Sequence, residues 1–147
     1  MLYQNTRVGV ASLGVCVPLI GLFLWLRLVT HSGPLDAFAP LVILVALAIV
    51  FSSLTVRITA TGIEWWLGLG LLRRSRRFEE IAAAKTREIF PLAFGIHWDL
   101  RGGISYIVTG GSALELLLKN GKRVTISCNE PQKIIALLEQ HGVRPAG

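Results

Sequence analysis

Charge is scarce in this chain, and in two places it is missing altogether. Residues 8–26 and 37–54 contain no Asp, Glu, Lys or Arg. Charged residues make up 16% of the 147 positions and apolar ones 52%, where a soluble domain carries roughly 25% charge. A mean hydropathy of +0.59 excludes an ordinary soluble protein. Cysteine is scarce too. Cys16 and Cys128 stand alone, with no Cys or His at metal spacing, which excludes a zinc motif. They read as small apolar fillers and point to no oxidising compartment. The three histidines, His31, His97 and His141, lie far apart and form no HExxH. His97 and Asp99 lack a nucleophile at a matching position. The GLGLL stretch at 68–72 lacks the third glycine of a dinucleotide loop and reads as a turn. TGGS at 109–112 lacks the lysine of a phosphate loop and reads as a hairpin between strands. No catalytic residue, metal site or cofactor is expected, and the chain is read as non-enzymatic.

What is present is grease in two long runs. Val8–Leu26 and Ala37–Leu54 are uncharged throughout. At about 1.5 Å per residue each makes a helix roughly 27–29 Å long, close to a hydrocarbon core of about 30 Å. Backbone groups in lipid must be paired internally, so both runs are expected to be helices. Pro18 predicts a kink, Pro40 falls in the first turn of the second span, and Trp25 suits an interface. The link RLVTHSGPLD is short, so the spans form a hairpin with both termini on one side. That link carries Arg27 and Asp36, whereas Arg7, Arg57 and the RRSRR cluster flank the other ends. The positive-inside rule places both termini in the cytoplasm of a multi-pass inner-membrane protein. Ala37-Phe-Ala39 has the form of a cleavage site, but it lies far beyond a run already too long for a signal core.

Residues 1–54 are thus read as the transmembrane hairpin and 55–147 as a cytoplasmic domain. That domain carries thirteen Lys/Arg and eight Asp/Glu, a net charge of +5. It reads as strands until near its end: TVRITA, IEWWL, LLRRSRRF, AAKTREI, ISYIVT, SALELLLK and KRVTISC. Register between the last two follows from the apolar face. A two-residue Asn120-Gly121 loop would mix greasy and polar partners. A three-residue loop, Lys119-Asn120-Gly121, pairs Leu116 with Val124 and Leu114 with Ile126, and needs Gly121 left-handed. The chain closes with an amphipathic helix, N-capped by Asn129 with Gln132 three residues on. It presents Ile134, Leu137, Leu138 and His141 on one face and ends at Gly142.

About seven strands followed by one helix is the element order of the pleckstrin-homology (PH) superfold. LTVRITATGIEWWLGLGLLRRSRRFEEI, FGIHWDLRGGISYIV and ALELLLKNGKRVTISCNEPQKIIALLEQ together resemble the small bacterial PH-like domain membrane proteins, whose function is uncharacterised. The likeness spans about residues 50 to 142, and its ending is the most specific piece. Gly95 and Arg101 of the central loop are spaced more widely than in that family. The resemblance implies an α+β fold, with the two-helix hairpin followed by a PH-like split β-barrel of antiparallel strands and a capping helix. It implies no activity.

The cluster Arg73, Arg74, Arg76 and Arg77 has two readings. One is a solvated edge strand that blocks unwanted pairing and reinforces topology. The other is a grip on anionic lipid headgroups, with Arg57, Lys85 and Arg87 as neighbours. Nucleic acid is not expected, because no reading motif accompanies the charge. Trp66 sits on the polar face of its strand, either dipping into the interface or covered by the anchor's own chain. The expected role is binding or scaffolding, with anionic lipid, another membrane protein or a second copy as partner. An accessory subunit of a larger membrane complex or transporter is the alternative, since Gly9, Gly14, Gly21 and Ala11 suit close helix packing.

Overall fold

The protein is described by a computed structural model over residues 2–30, 34–100 and 102–146. Strand β1 (Tyr3–Val8) leads into helix α1 (Val10–Thr30) and helix α2 (Pro34–Val50). Strands β2 (Ser53–Ile58), β3 (Gly62–Leu67) and β4 (Arg74–Arg77) follow. A 3-10 turn at Phe78–Glu80 precedes β5 (Ile81–Ile89), β6 (Gly95–Trp98), β7 (Ile104–Ile107), β8 (Gly111–Leu118) and β9 (Arg123–Ser127). Helix α3 (Pro131–Gln140) and the short β10 (Arg144–Pro145) end the chain.

The architecture is α+β, with an N-terminal apolar helix and two sheets. One sheet has the order β1-β2-β3-β4 and is antiparallel; the other is β10-β5-β8-β9-β7-β6 and mixed. Among the described residues each of the seven expected strands is present, β1, β6 and β10 are additional, and the pairing is not all antiparallel, with β7 parallel to β9 and β10 parallel to β5. Among the described residues no strand pairing joins the two sheets, so they do not close into a barrel. They share one core instead. Leu54, Val56, Ile58, Ile63, Trp65 and Leu67 of the first sheet meet Leu114, Leu116 and Ile126 of the second. Trp65 stands edge-on to Tyr106 at 5.7 Å, a geometry that aromatic quadrupoles favour. Ile134 and Leu138 bring α3 onto the same core, fully buried.

The β8–β9 register is as the apolar face requires: Leu114 opposite Ile126, Leu116 opposite Val124, and Gly121 at φ +83°. TGGS is not a hairpin. β9 lies between β8 and β7, so the 108–110 link crosses over rather than turning back. The glycines there provide clearance. A Cβ on Gly110 would lie 1.8 Å from the Phe90 carbonyl oxygen. His97, expected in a loop, lies in β6, and its Nε2 is 2.9 Å from the Phe94 oxygen. The residue preceding α3 is Glu130 rather than Asn129, and no side chain caps the helix. Pro131, at the first turn, has no N–H to be capped. Asn129 instead reaches the Thr6 carbonyl at 3.5 Å.

The helical pair also differs from its expected bounds. α1 runs four residues beyond Leu26, and α2 starts at Pro34, so Pro40 lies in its interior. The centre of the link, with His31, falls outside the described residues. Ser53 and Leu54, expected at the end of the second span, begin β2. Among the described residues one helix, α1, is long and apolar enough to cross a membrane; α2 is shorter, with 17 residues. Ser12 fastens the two: its hydroxyl is 2.8 Å from the Gly9 oxygen and 2.6 Å from the Phe51 oxygen. Ser12 and Cys16 are the buried residues of α1.

Candidate functional site

Residues 3–7, expected only to precede the first span, and Val8, expected to open it, form β1 and decide the geometry at the foot of the helices. β1 pairs with β2 from Tyr3 opposite Ile58 to Val8 opposite Ser53. The Gly9 N–H donates to the Ser52 carbonyl at 2.7 Å. The start of α1 and the end of α2 are therefore bracketed by one antiparallel ladder, and both helices leave the sheet at the same place.

Pleat parity then sorts the arginines. On the outer face of the first sheet, Arg57 lies 4.8 Å from the Trp66 ring centre and Arg73 lies 5.4 Å from it. Trp66 is thus half-buried under guanidinium groups of its own sheet, not under the helical pair. Such contacts are worth roughly 0.5–1 kcal/mol at exposed sites. Arg73 also donates to the Glu64 carboxylate at 2.6 Å, and Arg57 to the Gln4 amide oxygen at 3.1 Å. Arg74 and Arg76 have the opposite parity, facing Trp65 and Ile63 across the ladder. They remain exposed because β4 is an edge strand. Arg77 ends β4, and its N–H donates to the Glu80 carboxylate at 3.0 Å.

The six candidate residues therefore divide. Arg57, Trp66 and Arg73 form one cluster with Glu64; Arg74, Arg76 and Arg77 form a row along the edge. Lys85 and Arg87 join neither. They lie on β5, 3.4 and 2.8 Å from the buried carboxylate of Glu115. A buried carboxylate is stable only when paired, which accounts for both cations.

Two groups escape sequence reasoning. Arg7, read as a flanking charge, donates to the carbonyls of Gly110, Ser112 and Cys128 at 2.6, 2.5 and 2.8 Å. It fastens the first sheet to the second directly below α1. Parity with Tyr3 and Asn5 was the available signal, but only once β1 is known to be a strand. Burial pushes the nearby Cys128 thiol up to about 12, against the opposing pull of Arg7. The thiol is a packed, protonated group. The second is Tyr3, whose hydroxyl donates to Glu130 at 2.7 Å. Burial and then this bond raise the Tyr3 hydroxyl, while the same bond, followed by Lys133, lowers the Glu130 carboxyl.

Among the described residues no group of three His, Cys, Asp or Glu could hold a metal ion. No protein family matches the chain, and no curated protein matches it either.

Proposed function

We propose that this chain is a non-enzymatic integral membrane protein. In this reading α1 and α2 form a two-span hairpin in the inner membrane, and the sheets and α3 form a cytoplasmic PH-like module for binding or scaffolding. One observation carries the reading. Only 6% of the apolar stretch of α1 is buried, and side chains such as Val17, Leu22, Leu28, Phe38 and Ile43 are more than half exposed. A core helix of a soluble protein buries such residues; a pair that turns them outward is suited to a hydrocarbon solvent. At about 1.5 Å per residue α1 is roughly 30 Å long and α2 roughly 25 Å, within the range of spanning helices.

The β1–β2 bracket supports placing both ends of the hairpin on one side, and the flanking arginines favour the cytoplasmic side. The open pair of sheets with α3 against their core supports a PH-like module, departing from that fold in its two parallel pairings. Its contacts are anionic headgroups along β4 or a partner membrane protein. The test is the full chain with a reporter fused behind Gly147. Retention in membranes through an alkaline wash, with a reporter active only inside the cell, is expected. A chain released by the wash, or a reporter active outside, would overturn the reading.

A second reading, an accessory subunit of a larger complex, is favoured by two glycines. A Cβ on Gly14 or Gly21 would meet nothing within 4 Å, whereas one on Gly9 would lie 2.2 Å from the Phe51 oxygen. Gly9 is used inside the chain. Gly14 and Gly21, seven apart, leave a surface that another helix can approach closely. Cross-linking in native membranes that traps one fixed partner supports this role; a lone chain rejects it.

A further inference from the structure

The β3–β4 and β5–β6 loops hold large apolar side chains that the core does not use. Leu69 is 85% and Leu71 67% exposed in the first; Phe90 is 71% and Leu92 70% exposed in the second. Both loops lie at the foot of the helical pair, one against the end of α2 and the other near the start of α1. Gly68 opens the first loop, and its N–H donates to the Ser53 carbonyl at 2.7 Å. A Cβ there would be 2.7 Å from the Ile49 oxygen and 2.9 Å from the Val50 oxygen, so this loop presses against the end of α2. The second loop reaches the start of α1 by another route. The Gly110 N–H donates to the Pro91 carbonyl at 3.3 Å, and Arg7 grips the Gly110 carbonyl. Two residues earlier, the Val108 oxygen would be 3.2 Å from a Cβ on Gly9.

We propose that these two loops are embedded at the boundary between headgroups and acyl chains, seating the domain on the bilayer instead of leaving it suspended beneath. The occupant is lipid, because both loops sit against the ends of the helices, whose exposed apolar side chains the same bilayer would solvate. Arg73 and Arg74 follow Leu72 at once, where cationic side chains extend to headgroups from an apolar stem. The hairpin tip at the far end of β6 provides a contrast. Leu100 is fully exposed, but Trp98 pairs with Ile104 while Gly95, near the β5–β6 loop, pairs with Ile107. The tip is thus a strand length away from the helices, outside the seat.

This inference rests on the membrane-spanning reading, and the test separates the two. The full chain is reconstituted in vesicles of mixed phosphatidylglycerol and phosphatidylcholine. An environment-sensitive fluorophore is attached in turn at Leu69→Cys, Leu92→Cys, Leu100→Cys and, within α1, Leu22→Cys. Quenching by nitroxide-bearing acyl chains is then compared with quenching by aqueous iodide. Acyl-chain quenching is expected at positions 22, 69 and 92, and at least fivefold stronger there than at 100. If position 22 is quenched from the lipid while 69 and 92 behave like 100, the seat is wrong and the span stands. Quenching at only one loop rejects a seat made of both loops. If position 22 is itself reached by iodide alone, the spanning reading falls and this inference with it.

Discussion

Arg7 shows how one side chain can carry two duties that the sequence cannot separate. As a cation beside α1 it counts toward the orientation proposed above. Its planar fork also satisfies three backbone carbonyls at the junction of the sheets, which a single-point ammonium cannot match. Arg7→Lys preserves the charge and discards the geometry. The expected result is an unchanged topology reporter and a loss of about 1–3 kcal/mol in the unfolding free energy of the detergent-solubilised chain. A silent substitution would mean that charge alone matters. Cys128 makes the second residue-scale prediction. Its folded value of about 12 lies above the ordinary thiol value of 9.0, so the fold favours the neutral form. That contribution is complete below about pH 8.5 and is lost as pH rises toward 12, at up to about 1.4 kcal/mol per pH unit. Alkaline unfolding should therefore begin later in Cys128→Ala, and alkylation of folded Cys128 at pH 8 should be slow beside a free thiol. Equal alkylation rates would show that the thiol is neither shielded nor held more protonated than a free one.

The elements legible in the sequence bury one face, with the exception of β4, which is exposed along its length. The β8–β9 register could be read because a one-residue slip would have turned Leu114, Leu116, Val124 and Ile126 out of the core. The strands β1, β6 and β10 could not. β1 alternates only between half-buried and exposed, β6 is half to fully exposed, and β10 is two residues at a sheet edge. None carries an apolar stripe against which a period could be counted. The glycine links misled for a related reason: composition marks a glycine but not what it makes room for. Gly121 sits at φ +83° with open space around it, whereas Gly110 lies against the backbone of the β5–β6 loop. Gly121→Ala should therefore cost only the left-handed backbone penalty, about 1–2 kcal/mol. Gly110→Ala must displace backbone and should reach the exceptional range of about 4 kcal/mol or more. Chemical or thermal unfolding of the two variants side by side decides it, and equal losses would reject the crossover at 108–110. At the candidate site, the Arg cluster and Trp66 were legible as charge on the polar face of an edge. The Arg57–Trp66–Arg73 stack and the diversion of Lys85 and Arg87 to Glu115 depend on which strands become neighbours, which no local pattern encodes.

At the scale of the molecule, the direction of β4 turns a cluster into a gradient. β3 runs away from the foot of the helices as it is traced back from Leu67 to Gly62, and β4 is antiparallel to it. Arg74, opposite Trp65, is therefore nearer the helices than Arg77, opposite Gly62. Three residues of strand separate them by roughly 10 Å, more than the Debye length of about 8 Å at physiological ionic strength. The neighbours sharpen the contrast. Arg73 is already matched by Glu64, and Glu79 and Glu80 follow Arg77 after Phe78. Arg74 is thus the position where an added anionic headgroup has most to gain. A cation near the surface contributes about 1 kcal/mol, and reversing it removes that attraction and adds a comparable repulsion. Arg74→Glu should lower the preference of the full chain for phosphatidylglycerol over phosphatidylcholine by about thirtyfold, while Arg77→Glu leaves it within about twofold. Native mass spectrometry of the lipids retained by each variant measures this directly, and raising the salt should shrink the Arg74 effect. Equal effects at the two positions would remove the gradient and with it the inferred orientation of β4. No effect at either would return the whole row to a solvated edge whose charge serves only to orient the helices and to keep other strands from pairing.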